Sequence, residues 1–321
     1  MKTLALLLGG AVALIASIAP AQDTRIVVDD LGRTVEVPLN PQRIISGDDN
    51  TLGMPLADFG VDFIGAQARV AEDGSYFMRG LDVNYGISFA ESGIEPVSVW
   101  WEFDLEKVAL LDPDLIILIE WQQEQAELFE QIAPTFFVFE TPEPWAVQQA
   151  IARATGKEDV FEYRRGIYED RVATLKASLD IPEGTTYSLI GPGDGTFWAS
   201  TGAYNFTLVL RDLGFVPSPG TQALIDAGST WGEEISAERL QDFDADYIFI
   251  SYQSQPGRTP SEVLTNMDGV LPGWCDFVTA CQNGNVILYP WETIGAPTFA
   301  AANAGMDIIA THFASKLLRA Q

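Results

Sequence analysis

Short apolar runs alternate with amphipathic stretches along most of this chain. Arg43 to Ser46, Phe63 to Ala66, Leu115 to Ile119 and Phe136 to Phe139 read as strands, with helical segments between them. A second set follows at Tyr187 to Ile190, Tyr247 to Ser251 and Val286 to Tyr289. Near-continuous apolar strands separated by helices predict a largely parallel sheet covered on both faces. Before the first set, TRIVVDDLGRTVEVP (Thr24 to Pro38) reads as a hairpin turning at Asp30-Leu31-Gly32. Between the two sets, Lys157 to Leu179 reads as one long helix, with Val160, Tyr168, Val172, Leu175 and Leu179 as its apolar stripe. Ala300 to Leu318 reads as a final helix.

An internal repeat organises the two sets. DLEKVALLDPDLIIL (Asp104 to Leu118) aligns without gaps with SAERLQDFDADYIFI (Ser236 to Ile250). Glu106 falls on Glu238, Lys107 on Arg239, Asp112 on Asp244 and Asp114 on Asp246. Each copy opens with an N-cap residue and a Glu in the first helical turn, then passes through an acidic turn into a strand. The chain therefore reads as two similar lobes, residues 22–156 and 181–321, joined by a linking helix over 157–180. Each lobe offers one carboxylate at an equivalent place. No low-complexity linker intervenes, and a helical connection predicts limited hinge motion.

The first residues set a compartment. Lys2, an apolar run from Leu4 to Ile18 and the small residues Ala19 and Ala21 around Pro20 fit a signal peptide over residues 1–21, with an uncleaved anchor as the alternative. In an oxidising compartment Cys275 and Cys281 are expected to pair, two free thiols being the alternative. The formal net charge of −27 excludes nucleic acid as a natural partner, because phosphate binding needs clustered basic residues.

DDLGRTVEVPLNPQRII (Asp29 to Ile45), the DLEKVALLDPDLIIL segment, the long helix and GDGTFWASTGAYNFTLVLRDLGF occur in the order and spacing of a known family. Over nearly all of its length beyond residue 21, the chain resembles the periplasmic substrate-binding proteins of iron–siderophore ABC importers, whose relatives bind cobalamin or haem. The resemblance implies an α/β fold of two Rossmann-like lobes joined by one long helix, the class III arrangement, with ligand held between the lobes. It implies a monomer that binds an iron chelate, needs no cofactor or protein-bound metal, and delivers its ligand to a membrane permease. By position, Glu106 and Glu238 are the carboxylates that would meet arginines on the permease, an exposed charge pairing that fixes orientation. A Glu in a first helical turn also simply favours the helix dipole.

The ligand site is sought where strands end, since open α/β sheets bind ligands there. Eight tryptophans are many for 321 residues. Trp100, Trp121, Trp198, Trp231 and Trp291 occupy loop or strand-end positions and suit a bulky, partly apolar chelate. Each could instead pack the lobes, the role expected of Trp145 and Trp274. Trp101 is expected to face away from its neighbour. Asp48 and Asp49 follow the first strand and would repel an anionic chelate, so a neutral or cationic hydroxamate-type ligand is favoured, with a corrinoid next. Arg69, Tyr204 and Tyr252 complete the candidate lining. Arg69, Arg79 and Arg258 all sit in loop-like contexts that more often hold solvated arginines. Tyr76, Tyr204 and Tyr252 are the residues that could ligate haem.

Enzyme readings lack their parts. His312, the one histidine, lies among apolar residues, so neither Ser/His nor His–metal chemistry is supported. Gly191-Pro192-Gly193-Asp194-Gly195 lacks a P-loop lysine and reads as a turn. A carboxylate-dependent hydrolase remains a distant alternative, because no acidic pair stands out.

Overall fold

The computed structural model describes residues 23–143, 145–254 and 258–319. The expected signal peptide, residues 1–21, lies outside them. The apolar run Leu115–Ile119, buried at every position, is a central strand. It lies parallel to Ile44–Ser46 on one side and to Thr135–Val138 on the other. Ile44–Ser46 in turn pairs in parallel with Gly65–Val70, and that strand with Glu95–Val99. Short antiparallel additions at Tyr76–Phe77 and Glu102–Phe103 complete a seven-stranded sheet. Glu95–Val99 escapes the sequence reading because Pro96 and Ser98 interrupt its apolar pattern.

The second sheet is built differently at one edge. Thr186–Pro192, Tyr247–Tyr252 and Val286–Pro290 run parallel in that order. Beyond Thr186–Pro192, however, the chain turns back into the antiparallel strand Phe197–Ser200, which pairs with Gly232–Ile235. Val216–Pro217 adds a sixth strand. The hairpin Thr24–Val28 with Thr34–Pro38 forms as expected.

The repeat has a structural basis of its own. Asp114 accepts hydrogen bonds from the backbone N–H groups of Gln42 and Arg43 at 2.8 and 2.9 Å, just before strand Ile44–Ser46. Its counterpart Asp246 accepts from Thr186 N at 2.8 Å, where strand Thr186–Pro192 begins. In both sheets the acidic turn thus pins the neighbouring parallel strand in register. The helical parts diverge. Asp104 caps Leu105–Leu110 by accepting from Lys107 N at 3.0 Å, whereas Ala237–Phe243 is a 3₁₀ helix and Ser236 makes no side-chain cap.

The long helix spans Glu158–Ser178, about 31 Å at 1.5 Å per residue. It buries Phe161, Tyr168 and Val172, with Val160 and Leu175 partly buried beside them. Phe161 joins an aromatic cluster in which Trp145 stacks on Phe299 at 4.8 Å and meets Tyr168 edge-on at 4.8 Å. Phe299 begins the C-terminal helix Phe299–Arg319. One continuous core therefore runs from the first sheet, across the linking helix, to the inner face of the second. Asp58 ties the same junction with polar bonds. Its carboxylate accepts from Phe299 N and Arg164 Nη1, both at 2.9 Å, and burial raises its pKa. A shared core and a buried carboxylate across the junction resist independent lobe movement.

Cys275 and Cys281 are bonded in the second lobe, next to the buried Trp274. His312 packs edge-on against the Tyr247 ring at 5.7 Å, a core contact of the C-terminal helix. No helix among the described residues is long and apolar enough to cross a membrane.

Candidate ligand cleft

Four parallel strands of the first sheet place a side chain in one cavity by the same device. Asp48, Trp101, Trp121 and Glu140 each stand two residues beyond the last residue of a strand, after Ser46, Val99, Ile119 and Val138. With Asn50, Thr51, Arg69, Arg79, Tyr204 and Trp291 they line a cavity of about 460 Å³. A second cavity of about 340 Å³ shares Arg79 and Trp291 with it and is otherwise lined by the second lobe: Leu189, Ile190, Trp198, Trp231, Phe249 and Tyr289 among others. The two form one cleft between the lobes, at the carboxyl ends of both sheets, where binding crevices of open α/β sheets lie.

The first-lobe wall carries the charge. Ile44–Ser46 leads through Gly47 into Asp48. A Cβ at Gly47 would lie 2.7 Å from Leu118 Cδ2, 2.8 Å from Gln122 Oε1 and 3.0 Å from the Ile117 carbonyl oxygen, so a larger residue there would have to displace its neighbours. Asp48 caps the following turn, accepting from Asn50 N at 2.9 Å and Thr51 N at 2.6 Å through Oδ1. Asp49 is fully buried and holds Arg69 in a two-point fork, Nε to Oδ2 at 2.8 Å and Nη2 to Oδ1 at 2.9 Å. It also accepts from Arg79 N at 2.7 Å. The Arg79 guanidinium is half-buried and has no ion-pair partner among the described residues. Burial, then the neighbouring Arg69, lowers its pKa.

Burial raises Asp48 to about 6, reinforced by the charge of Asp49 and opposed by Arg69. Tyr204 projects from the second lobe and donates to Glu140 Oε1 at 2.6 Å, with Thr51 Oγ1 3.1 Å from its hydroxyl. Burial and the Glu140 carboxylate hold the Tyr204 phenol well above its ordinary value. A protonated, hydrogen-bonded phenol is poorly suited to ligate haem iron. Tyr204 has φ +43°, a strained backbone for a non-glycine, and its ring packs against Trp231 at 4.9 Å.

The structure brings Asp48, Arg69, Trp121, Trp198, Tyr204, Trp231 and Trp291 to this cleft. Tyr252 and Arg258 instead line an adjoining cavity of the second lobe, against Gly191–Gly195 and helix Pro260–Val270. Trp100 and Trp101 exchange their expected places. Both have positive φ, 48° and 69°, a reversal that turns Trp101 inward against Trp121 at 5.1 Å. Trp100 is 51% exposed and lies over the Arg69 guanidinium at 5.4 Å, outside the lining. Arg69 and Arg79 are not solvated surface residues, and Asp49 meets Arg69 rather than a ligand. Glu140 was missed, although the strand-end rule that selected Trp121 points to it equally.

Glu106 and Glu238 are both exposed on the first turns of the two repeated segments.

The family model described as periplasmic binding protein matches residues 94–293, and the chain belongs to that family. It is a family of binding proteins that act outside the cytoplasm, not of enzymes. The chain is 27% identical over 249 residues to the iron(3+)-hydroxamate-binding protein FhuD of Bacillus subtilis, covering 74% of each chain. It is 27% identical over 259 residues to the petrobactin-binding protein YclQ of the same organism, covering 78% of this chain and 75% of that one. Among solved structures, Staphylococcus aureus SirA complexed with staphyloferrin B superposes with a TM-score of 0.72 at 19% identity, over 92% of this chain and 98% of that one. FhuD2 of Staphylococcus aureus with bound ferrioxamine B gives 0.65 at 20% identity, over 85% and 98%. At these identities the structural likeness establishes the two-lobed, helix-linked fold.

Proposed function

We propose that this protein captures a ferric siderophore, of the hydroxamate type, in the cleft between its lobes and delivers it to an ABC permease. The two Bacillus subtilis relatives, matched over about three quarters of their length, are by name binders of ferric hydroxamate and of petrobactin. The observation that carries the reading is the cleft itself, whose ten-residue first cavity combines three tryptophans with Arg79, which has no ion-pair partner among the described residues. Aromatic faces bury the apolar arms of a chelate, and the Arg79 guanidinium supplies donors to metal-bound oxygens. The chelator holds the iron, so the protein needs no metal ligands of its own. The shared core favours a largely preformed cleft with modest closure on binding.

Docking is assigned to Glu106 and Glu238, which would set the two lobes on basic residues of the permease. Titrating the purified protein with ferrioxamine B, ferrichrome, ferric citrate, haem and cyanocobalamin, followed by tryptophan fluorescence, tests the ligand. Saturable quenching by a hydroxamate chelate is expected. Saturation by cobalamin or haem alone would replace the substrate. Glu106→Ala combined with Glu238→Ala is expected to leave that affinity unchanged while abolishing chelate uptake in cells; normal uptake would remove the docking assignment.

A further inference from the structure

In the first-lobe cavity the acidic groups do not all stand in the same relation to a ligand. Asp49 is spent on Arg69, both of its oxygens being engaged at 2.9 Å or less. Glu140 Oε1 is taken by Tyr204 and Thr51. Asp48 differs. It is 4% exposed, yet it lines the cavity. Oδ1 is satisfied by two backbone N–H groups, while among the described residues Oδ2 has only Trp101 Nε1, at 3.5 Å. A buried carboxylate oxygen without a bond of normal length is costly unless something else supplies a donor. The charged groups around it are Asp49 and Glu140 against Arg69 and Arg79; Glu140 and the two arginines line the cavity with Asp48, whereas Asp49 is buried behind it on Arg69. Arg79 lies at the junction with the second-lobe cavity, which Asp48 does not line.

We propose that Asp48 Oδ2 receives a cationic N–H donor, such as a terminal ammonium, on the arm of the chelate, so that the cleft selects positively charged ferric hydroxamates. The inference rests on the cleft being the chelate site. Arg79 then faces the metal-bound oxygens, and the cationic arm reaches past it into the first lobe.

Three chelates of one skeleton test it: ferrioxamine B with its free ammonium, the neutral N-acetyl derivative and the anionic N-succinyl derivative. Fluorescence titrations at pH 7.5 are expected to rank them in that order. A charge-assisted hydrogen bond predicts a preference for ferrioxamine B over its acetyl derivative of roughly ten- to a hundredfold. Asp48→Asn keeps a capping side chain and is expected to erase this preference, so that ferrioxamine B and its acetyl derivative bind with affinities within about threefold of each other. Asp48→Ser, also a capping residue, serves if the Asn variant does not fold. Lowering the pH of the wild type from 7.5 to 5 should shrink the preference, and the Asn variant should not respond. Equal binding of the three chelates by the wild type overturns the charge selection but leaves the receptor reading intact. Equal weakening of all three by Asp48→Asn also overturns it, assigning Asp48 to loop structure. Quenching by none of the three overturns the hydroxamate reading and this inference with it.

Discussion

The two walls of the cleft come from related lobes and differ in character. In the first lobe, the strand Ile44–Ser46 runs into a capped turn, and the wall presents Asp48, Arg69, Arg79 and Glu140. In the second, the equivalent strand Thr186–Pro192 folds back as a hairpin, and the wall presents Leu189, Ile190, Trp198, Trp231 and Phe249. A hairpin therefore follows this strand where a capped turn follows its first-lobe counterpart. A duplicated scaffold thus carries different linings: the first wall sets charged groups beside Trp101 and Trp121, and the second is mainly apolar and aromatic. Burial of apolar surface favours any chelate of suitable size, whereas a desolvated charge discriminates between chelates.

The largest break in this contrast is expected at Asp49. Asp49→Asn leaves Arg69 buried without its fork, which costs on the order of 3–5 kcal/mol. Chemical denaturation should show the loss, and stability within 1 kcal/mol of wild type would mean that the pair contributes little. On the other wall, Trp231→Ala removes aromatic area from the cleft and the packing under Tyr204. It should weaken every chelate by roughly tenfold or more, whatever its charge, and the ranking among charged derivatives should survive. A change in ranking would show that the second wall also reads charge.

A smaller effect follows from the protonation of Asp48. Its folded-state value, about 6, lies above the ordinary aspartate value of 3.8, so the folded protein binds the proton more tightly than the unfolded chain. The stabilising contribution of that proton is complete below the unfolded value and is lost as pH rises through the folded one. Asp48→Asn should therefore melt higher than wild type above pH 6, and the gap should close toward pH 4. A gap independent of pH would place the effect elsewhere. The smallest change is expected at Trp100, which lies outside the lining. Trp100→Ala loses an exposed cation–π contact to Arg69, about 0.5–1 kcal/mol, with chelate affinity nearly unchanged.

Much of the scaffold was legible from local pattern. The strand Leu115–Ile119, the long helix and the hairpin Thr24–Pro38 lie within a residue or two of their expected bounds, because each is fixed by its own periodicity or turn chemistry. The repeat located both Glu106 and Glu238 and the two acidic turns. Its hydrogen bonds show why Asp114 and Asp246 recur: each holds the start of a neighbouring strand. The cleft was legible only as a neighbourhood. Proximity to strand ends selected Trp121, Trp291 and Asp48, but the same rule could not separate Trp100 from Trp101, whose directions depend on two positive φ angles.

What the sequence by itself determined is therefore the alternation of strands and helices, the duplication, the linking helix and the acidic character of the chain. These follow from interactions between residues close together, or from sums over residues. What only the tertiary structure decided is which charges remain available. Asp49 and Arg69 are 20 positions apart and cancel each other. Tyr204 and Glu140, 64 apart, share a proton bridge between lobes. Arg79 and the Asp48 Oδ2 are left to face the cavity. Pairing of buried charges depends on distances that folding alone sets, and the chemistry of this cleft lies in the groups that pairing leaves over.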